Sequence, residues 1–493
     1  MAERLDHTAL DRWNVARPWA LPLLFFVGNL ALKLPGLTGS DIALDEPFSV
    51  FYAQQSLPEL FELFPRENNP PLHFLVLHAF IAVFGVSAWV VRLPSLLFSC
   101  LSAALLFRTG TRHFSAGTGL VTAVLFSLSN FHIYHAHEAR AYSLLVLLTI
   151  LALDRFLRLV DEPDRMVHYA WLALWNVLLI YTHFLGFWVL MAQGAAFFLL
   201  PDKRKVWWRL GLAFLASALA YLPYFYVVMA RMNNYASVGT WVPQPEWTQL
   251  YGNINRFLNG RWVTVIAGTS ALIAVLWGGR SRRDPGQMRK WWMLLLVFGL
   301  MYGGMYGVSF LTAPMFLDRY LLFVTVPMFL LLAALLVEGP IDPRLKIALA
   351  VLVAAAMLIF VQINPPNGRP VAALAERVKA ERKLGAPVII CPPYRDKTLL
   401  YHLDRAAFRR YREKDRWLND QAIYPVQAFS ELSADILQGP RVVFVDADSR
   451  FTHPGNGIED SLRKYYSQVT TEEFGSAWRV LCFEKKRSQQ SQP

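Results

Sequence analysis

Apolar positions along the first three quarters of the chain come in long runs, at 19–37, 139–153, 262–278, 291–312, 320–337 and 347–362. They show neither the alternation of a half-buried strand nor the one-sided stripe of a surface helix. A helix needs about 20 mostly apolar residues to cross a bilayer, and most of these runs approach that length. The pattern therefore predicts a polytopic α-helical membrane protein. It changes near Gln362. Residues 363–493 alternate charged helical stretches (375–383 and 404–418) with short strand-like runs at 388–390, 442–445 and 478–483, which predicts a small soluble α/β domain. The expected division is a transmembrane domain over 1–362 and the α/β domain over 363–493. The first run, from Trp19, is too long for a signal-peptide core and lacks a small-residue cleavage site, so it is expected to be an uncleaved anchor.

Composition strengthens this picture. The chain of 493 residues is 55% hydrophobic and 17% charged, against about 25% charged in soluble domains; its mean hydropathy is +0.32. The net charge of +12 does not point to nucleic acid, because the Lys and Arg lie in short clusters between apolar runs, with no basic face interleaved with aromatic stacking positions. Cys391 and Cys482 could pair if the tail met an oxidising compartment, but buried free thiols are the expectation, as for Cys100.

Cytoplasmic loops of membrane proteins are rich in Lys and Arg. One set of connections carries Arg4, Arg12, Arg17, Arg108, Arg112, Arg155, Arg158, Arg165, Lys203, Arg204, Lys205, Arg209, Arg280, Arg282, Arg283, Arg289, Lys290, Arg344 and Lys346. The alternate set carries only Arg66, Arg140, Arg231, Arg256, Arg261 and Arg319. The first set is expected inside, which places the α/β domain outside. The segment 71–85 would rise only about 22 Å as a helix, so an oblique or re-entrant element is expected there, separated from the next helix near Gly85-Val86-Ser87. About eleven crossings result.

Ionisable groups at membrane depth or at its edge are costly and hence candidates for function. The candidates share the predicted outer side. Asp41, Asp45 and Glu46 follow the first span, and adjacent carboxylates can divide the work of base and orienting group; a solvated acidic loop is the plain alternative. The aromatic stretch from Pro47 to Tyr52 predicts a helix lying along the membrane surface. In Glu67-Asn68-Asn69-Pro70-Pro71-Leu72-His73, Asn68 or Asn69 is expected to cap a helix, with Glu67 and His73 as weaker substrate contacts. In His135-Ala136-His137-Glu138-Ala139-Arg140-Ala141-Tyr142, Glu138 and Tyr142 are spaced to share a helix face. Arg140 is expected in the first turn, where the helix dipole disfavours a cation, so an anionic partner is expected, either Glu46 or a phosphate. Asp318-Arg319-Tyr320 opens a later span, where Arg319 beside free amides suits a phosphate, while interfacial anchoring is the alternative. Arg256 and His183 are further outer-edge polar groups. The histidines lack a tight metal-ligand spacing, so no metal is expected. Neither a Walker-type loop nor a GxGxxG is present, so no nucleotide cofactor is expected and any donor should come from the membrane.

The ordered motifs, an acidic pair after the first span, then "NPPLHF…FG…RLPSLL", "HEARAYSLL" and "FLDRYLL", resemble the bacterial members of the protein O-mannosyltransferase and aminoarabinose transferase superfamily. The resemblance covers about residues 19–340. It implies a GT-C fold of about eleven to thirteen transmembrane helices in the bacterial inner membrane. The implied activity is an inverting transfer from a polyprenyl-phosphate sugar to a glycan, lipid or protein at the extracytoplasmic face. It also implies Asp45 as base with Glu46 beside it, and Arg140 and Arg319 as phosphate contacts. The chain departs from the aminoarabinose transferases at "NNPP", where those have an acidic–lysine pair before proline, so lipid A is not implied as acceptor. From other classes, a lipid or solute transporter should show repeat symmetry and broken helices at midplane, which the sequence does not display. A non-catalytic scaffold subunit would not need the Asp45, Glu46 and Arg140 set.

Overall fold

The protein was analysed as a computed structural model that describes residues 16–66, 69–201, 203–238, 242–276, 285–339, 341–364, 368–410 and 412–486. Glu67, Asn68 and the basic residues Arg4, Arg12, Arg280, Arg282 and Arg283 lie outside the described residues. Two compact units interleave in the sequence: one comprises residues 1–37, 64–76 and 92–363, and the other 38–63, 77–91 and 364–493.

The first unit is a helical membrane body. By length and composition, four helices among the described residues can each cross a membrane, Ala88–His113, Arg204–Met229, Pro285–Val308 and Asp318–Glu338; the number is six if two bent pairs count as single spans. Other apolar runs form helices too short for that test, including Ala20–Gly36, Met166–Thr182 and Gly186–Leu199, so this count is lower than the eleven to thirteen implied above. Local chemistry sets several ends. Ser115 caps Ala116–Leu128 by accepting the Thr118 amide, and Asp342 caps Pro343–Ile359 by accepting the Arg344 and Leu345 amides. Gly110 and Gly119 let the Ala88–His113 and Ala116–Leu128 helices touch, since a Cβ on Gly110 would lie 2.7 Å from the Gly119 Cα. The helix Leu72–Phe84 has 13 residues, about 20 Å. It ends at Gly85, whose φ of +77° suits glycine.

The sequence pattern did not reveal the two bent pairs. Ala116–Leu128 meets Asn130–Ala136 at 63°, and Thr248–Phe257 meets Arg261–Leu276 at 88°. Each break satisfies the other. The Ser129 hydroxyl donates to the Phe257 carbonyl at 2.9 Å, Asn259 accepts the Asn130 amide at 2.7 Å, and its own amide donates to the Leu128 carbonyl at 2.8 Å. Backbone groups freed in an apolar body need such partners. Asn259 adopts a φ of 63° to do this, a conformation that asparagine tolerates. The Asn130 side chain also binds the Phe360 carbonyl and the Gln362 amide, so the breaks lie level with the end of the last span rather than at its middle.

In the second unit, five strands, β1 (Val388–Cys391), β2 (Ile423–Pro425), β3 (Arg441–Asp446), β4 (Tyr466–Phe474) and β5 (Trp478–Lys485), form one sheet in the order β2-β1-β3-β5-β4. β1 is parallel to β2 and β3, whereas β5 is antiparallel to β3 and β4. Every residue of β1 is buried, as expected for a central parallel strand covered on both faces. The three predicted strands are present; β2 and β4 were not foreseen. The predicted 404–418 helix is two short ones, Arg405–Arg409 and Lys414–Asp420. Cys100, Cys391 and Cys482 are free and buried.

Candidate active site

The acidic segment belongs to the sheet-containing unit. Asp45 stands at the N-cap of the helix Glu46–Ala53, and Glu46 and Pro47 occupy its first turn. Negative charge there is favoured by the helix dipole. Glu46 is buried. Leu44, with φ of 54°, reverses the chain just before the pair. The loop is stapled to the following domain: the Asp41 carboxylate accepts the Ala372 amide at 2.9 Å, and His402 donates to the Ile42 carbonyl at 2.8 Å. Burial lowers the His402 pKa, in keeping with a neutral donor imidazole. Asp41 thus serves the start of the helix Val371–Lys383. The helix expected to lie on the membrane surface is present, but its apolar face is covered by protein. Phe51 packs edge-on to Phe408 at 5.5 Å, Phe48 lies 6.2 Å from Tyr394, and Lys397 sits over Phe48. Phe51 is buried there and Phe48 half-buried.

The remaining candidates gather at one end of the helical unit. After the bend at Ser129, the short helix Asn130–Ala136 gives way to a turn, and the next helix begins at Tyr142. Glu138 and Arg140 therefore lie in the turn, not on a helix. The expected Glu138–Tyr142 helix face does not form, because Glu138 folds back to His135 at 2.9 Å and the Ser143 hydroxyl binds the His135 carbonyl at 3.0 Å. Likewise Arg140 precedes the first turn; its amide binds the Glu138 carbonyl at 2.8 Å. Tyr142, His183 and Tyr320 pack together, with ring centroids 5.8 Å, 5.7 Å and 6.4 Å apart for Tyr142–His183, His183–Tyr320 and Tyr142–Tyr320. The Arg140 and Arg319 guanidinium groups lie 5.9 Å and 5.6 Å from the Tyr142 and Tyr320 ring centroids. His183, in the turn between two helices, has its pKa pulled down to about 3 by burial and by Arg140, Arg319 and His73 nearby. Asn69 and His73 are buried in the same unit. Arg256 makes a close ion pair with Asp318, which also accepts the Arg319 amide. Arg256 thus braces the turn that carries Arg319.

Residues 68–230 match the family of dolichyl-phosphate-mannose-protein mannosyltransferases. The structure aligns with ArnT from Cupriavidus metallidurans bound to undecaprenyl phosphate, at 13% identity and TM-score 0.56, over 97% of this chain and 99% of that one. The chain has the fold of this membrane glycosyltransferase. It also aligns with the Archaeoglobus fulgidus oligosaccharyltransferase, solved with Zn and sulfate, at 12% identity and TM-score 0.56, covering 96% of this chain and 74% of that one. The archaeal enzyme AglB, solved with an inhibitory peptide and a dolichol-phosphate, aligns at 11% identity and TM-score 0.55 over 98% and 75%. No curated protein sequence matches. Its apolar helices make the chain a multi-pass membrane protein.

The basic connections are ion-paired at the other end of the helical unit. Arg112 and His113 bind Asp154, Lys290 binds Asp161 at 2.7 Å and Arg209 binds Asp164 at 2.9 Å. Two buried cations escaped the sequence reading. Arg92, fully buried, donates to the Leu37 carbonyl at 2.9 Å, and Lys33, also fully buried, donates to Ser99 at 2.9 Å. Their signal was present, a charge within an apolar run. Among the described residues no group of three or more His, Cys, Asp or Glu could hold a metal.

Proposed function

We propose that the protein transfers a sugar from a polyprenyl-phosphate donor to an acceptor glycan, lipid or protein, with inversion, at the extracytoplasmic face of a bacterial inner membrane. The observation that carries this reading is the convergence of Arg140 and Arg319 on the His183–Tyr142–Tyr320 cluster, at the end of the helical unit opposite its ion-paired basic loops. A cationic, aromatic, partly dehydrated setting suits a lipid-linked phosphate next to a sugar ring.

In the proposed reaction the Asp45 carboxylate accepts the proton of an acceptor hydroxyl as its oxygen attacks the anomeric carbon. The bond from that carbon to the phosphate oxygen breaks, and the polyprenyl phosphate leaves with the electron pair. Arg140 and Arg319 offset the charge on the departing phosphate. Such donors commonly contribute about 3–4 kcal/mol each. Glu46 orients the base; Glu138, Asn69 and His73 belong to the polar surround, and Arg256 acts through Asp318. The domain 363–493 lies outside and presents the acceptor. The test is Asp45→Asn in purified protein, assayed for transfer from a polyprenyl-phosphate sugar. A loss of about 10²–10⁴-fold is expected for removal of a general base; full activity would remove Asp45 from that role.

A further inference from the structure

At the basic end of the helical unit the cluster around Asp154 has N–H donors to spare. Arg108 and Arg112 stand near the end of the helix Ala88–His113, and Arg155 and Arg158 near that of Tyr142–Asp161. Asp154 is the buried carboxylate among them. Arg112 donates to it at 2.8 Å, and His113 lies at 3.2 Å. Arg155 reaches it only at 3.8 Å and approaches a His168 ring nitrogen at 3.4 Å. Arg158 lies 3.5 Å away, and its Nε is buried with no hydrogen-bond partner among the described residues. Arg108 is near Arg112, Arg158 and Asp154, yet among the described residues it pairs with no carboxylate. Its guanidinium lies instead over the Trp19 ring, 3.9 Å from the centroid. Neighbouring carboxylates are engaged, Asp161 by Lys290, Glu162 by Arg165 and His168, and Asp164 by Arg209.

Four arginines thus share one carboxylate. Each of the two helix C-termini adds roughly half a negative charge, which still leaves a surplus of about two positive charges. Arg108, Arg155 and Arg158 are half-buried, so water screens that surplus incompletely. Guanidinium N–H groups in such a place match phosphate oxygens in charge and geometry. The setting of Arg108 selects a lipid phosphate over a free one. Trp19, 64% exposed, stands at the N-cap of Ala20–Lys33, and such a ring suits the headgroup level of a bilayer. The exposed Leu23 and Val27 follow it at four-residue intervals on one face of that helix, leading away from the arginines. Exposed Leu101 lies two turns before Arg108 on the same face of its own helix. Phe25 and Phe107 stack at 5.6 Å and hold the two helices side by side.

We infer that Arg108 and Arg158 hold the phosphate of an anionic phospholipid, whose acyl chains lie along Trp19, Leu23 and Val27. This site is separate from the proposed transfer chemistry and is tested without it. Full-length protein in neutral detergent would be titrated with dioleoyl-phosphatidylglycerol while its unfolding temperature is followed. A saturable rise is expected, with none from dioleoyl-phosphatidylcholine or inorganic phosphate at the same concentrations. Arg108→Gln should weaken the apparent affinity about fivefold, and Arg108→Gln combined with Arg158→Gln about twentyfold. Trp19→Ala, at an exposed position, should weaken it about threefold and gives a second reading that leaves the charges untouched. Arg165→Gln removes an equal charge from the same end, at a side chain 68% exposed and paired with Glu162, and should leave the affinity unchanged. Equal stabilisation by phosphatidylcholine would overturn the inference, as would equal stabilisation by inorganic phosphate, which marks a free-anion site. So would unchanged affinity in both Arg108→Gln and Trp19→Ala, or a loss in Arg165→Gln as large as in Arg108→Gln.

Discussion

At one end of the helical unit Arg112, Arg158, His113 and Lys290 lie against Asp154 and Asp161. At the other, Arg140 and Arg319 lie near the buried His183, amid tyrosine rings. Both ends hold cations, but their surroundings differ in kind. Carboxylates within the fold answer the first set, so that end is a structural clamp between helices. In the second set Arg140 and Arg319 lie beside the Tyr142 and Tyr320 rings, the cationic and aromatic surround that the proposed phosphate contact uses. Counting charges would rate the two ends as similar; the tyrosine and histidine rings around Arg140 and Arg319 distinguish the candidate site from the clamp.

The largest expected effect is at the clamp. Asp154→Asn leaves a group of cations without their buried carboxylate and should cost about 3–5 kcal/mol of stability, read by thermal unfolding, while transfer per folded molecule stays unchanged. Loss of transfer without loss of stability would reverse the assignment of the two ends. Arg140→Ala and Arg319→Ala should do the opposite, each lowering transfer by about 10²–10³-fold with little change in unfolding temperature. A smaller effect follows from His183. Its folded pKa, about 3, lies below the ordinary value near 6.5. The neutral form is therefore favoured by folding, and its contribution is complete above about pH 6.5 and lost as the pH falls toward 3. The unfolding temperature should fall between pH 7 and pH 4, and less steeply in His183→Phe. Smallest is Arg256→Ala. The Arg256 side chain is 56% exposed, and such pairs contribute at most about 1 kcal/mol, so near-normal stability and a modest loss of transfer, through looser placement of Arg319, are expected.

Much of this was legible from local pattern. The membrane body, the change of character near Gln362, the helix opened by Asp45 and the 3₁₀ turn and helix from Asp318 to Glu338 follow from apolar runs and helix-start chemistry. Other features were not. Glu138 was expected on a helix with Tyr142 and instead turns back to His135, because a bend at Ser129 ends one helix and delays the next. The apolar face of Glu46–Ala53 was expected in lipid and is covered by Phe408 and Tyr394, residues about 350 positions away in sequence.

That the chain lives in a membrane, and which of its connections carry the basic excess, could be read residue by residue, since transfer free energies of apolar and charged side chains are largely local and additive. Which carboxylate answers which cation, how two broken helices satisfy each other through Ser129 and Asn259, and how three separate stretches build the sheet-containing unit were decided only by folding. Hydrogen bonds and ion pairs depend on distances between groups far apart in the chain, and no local pattern encodes those distances.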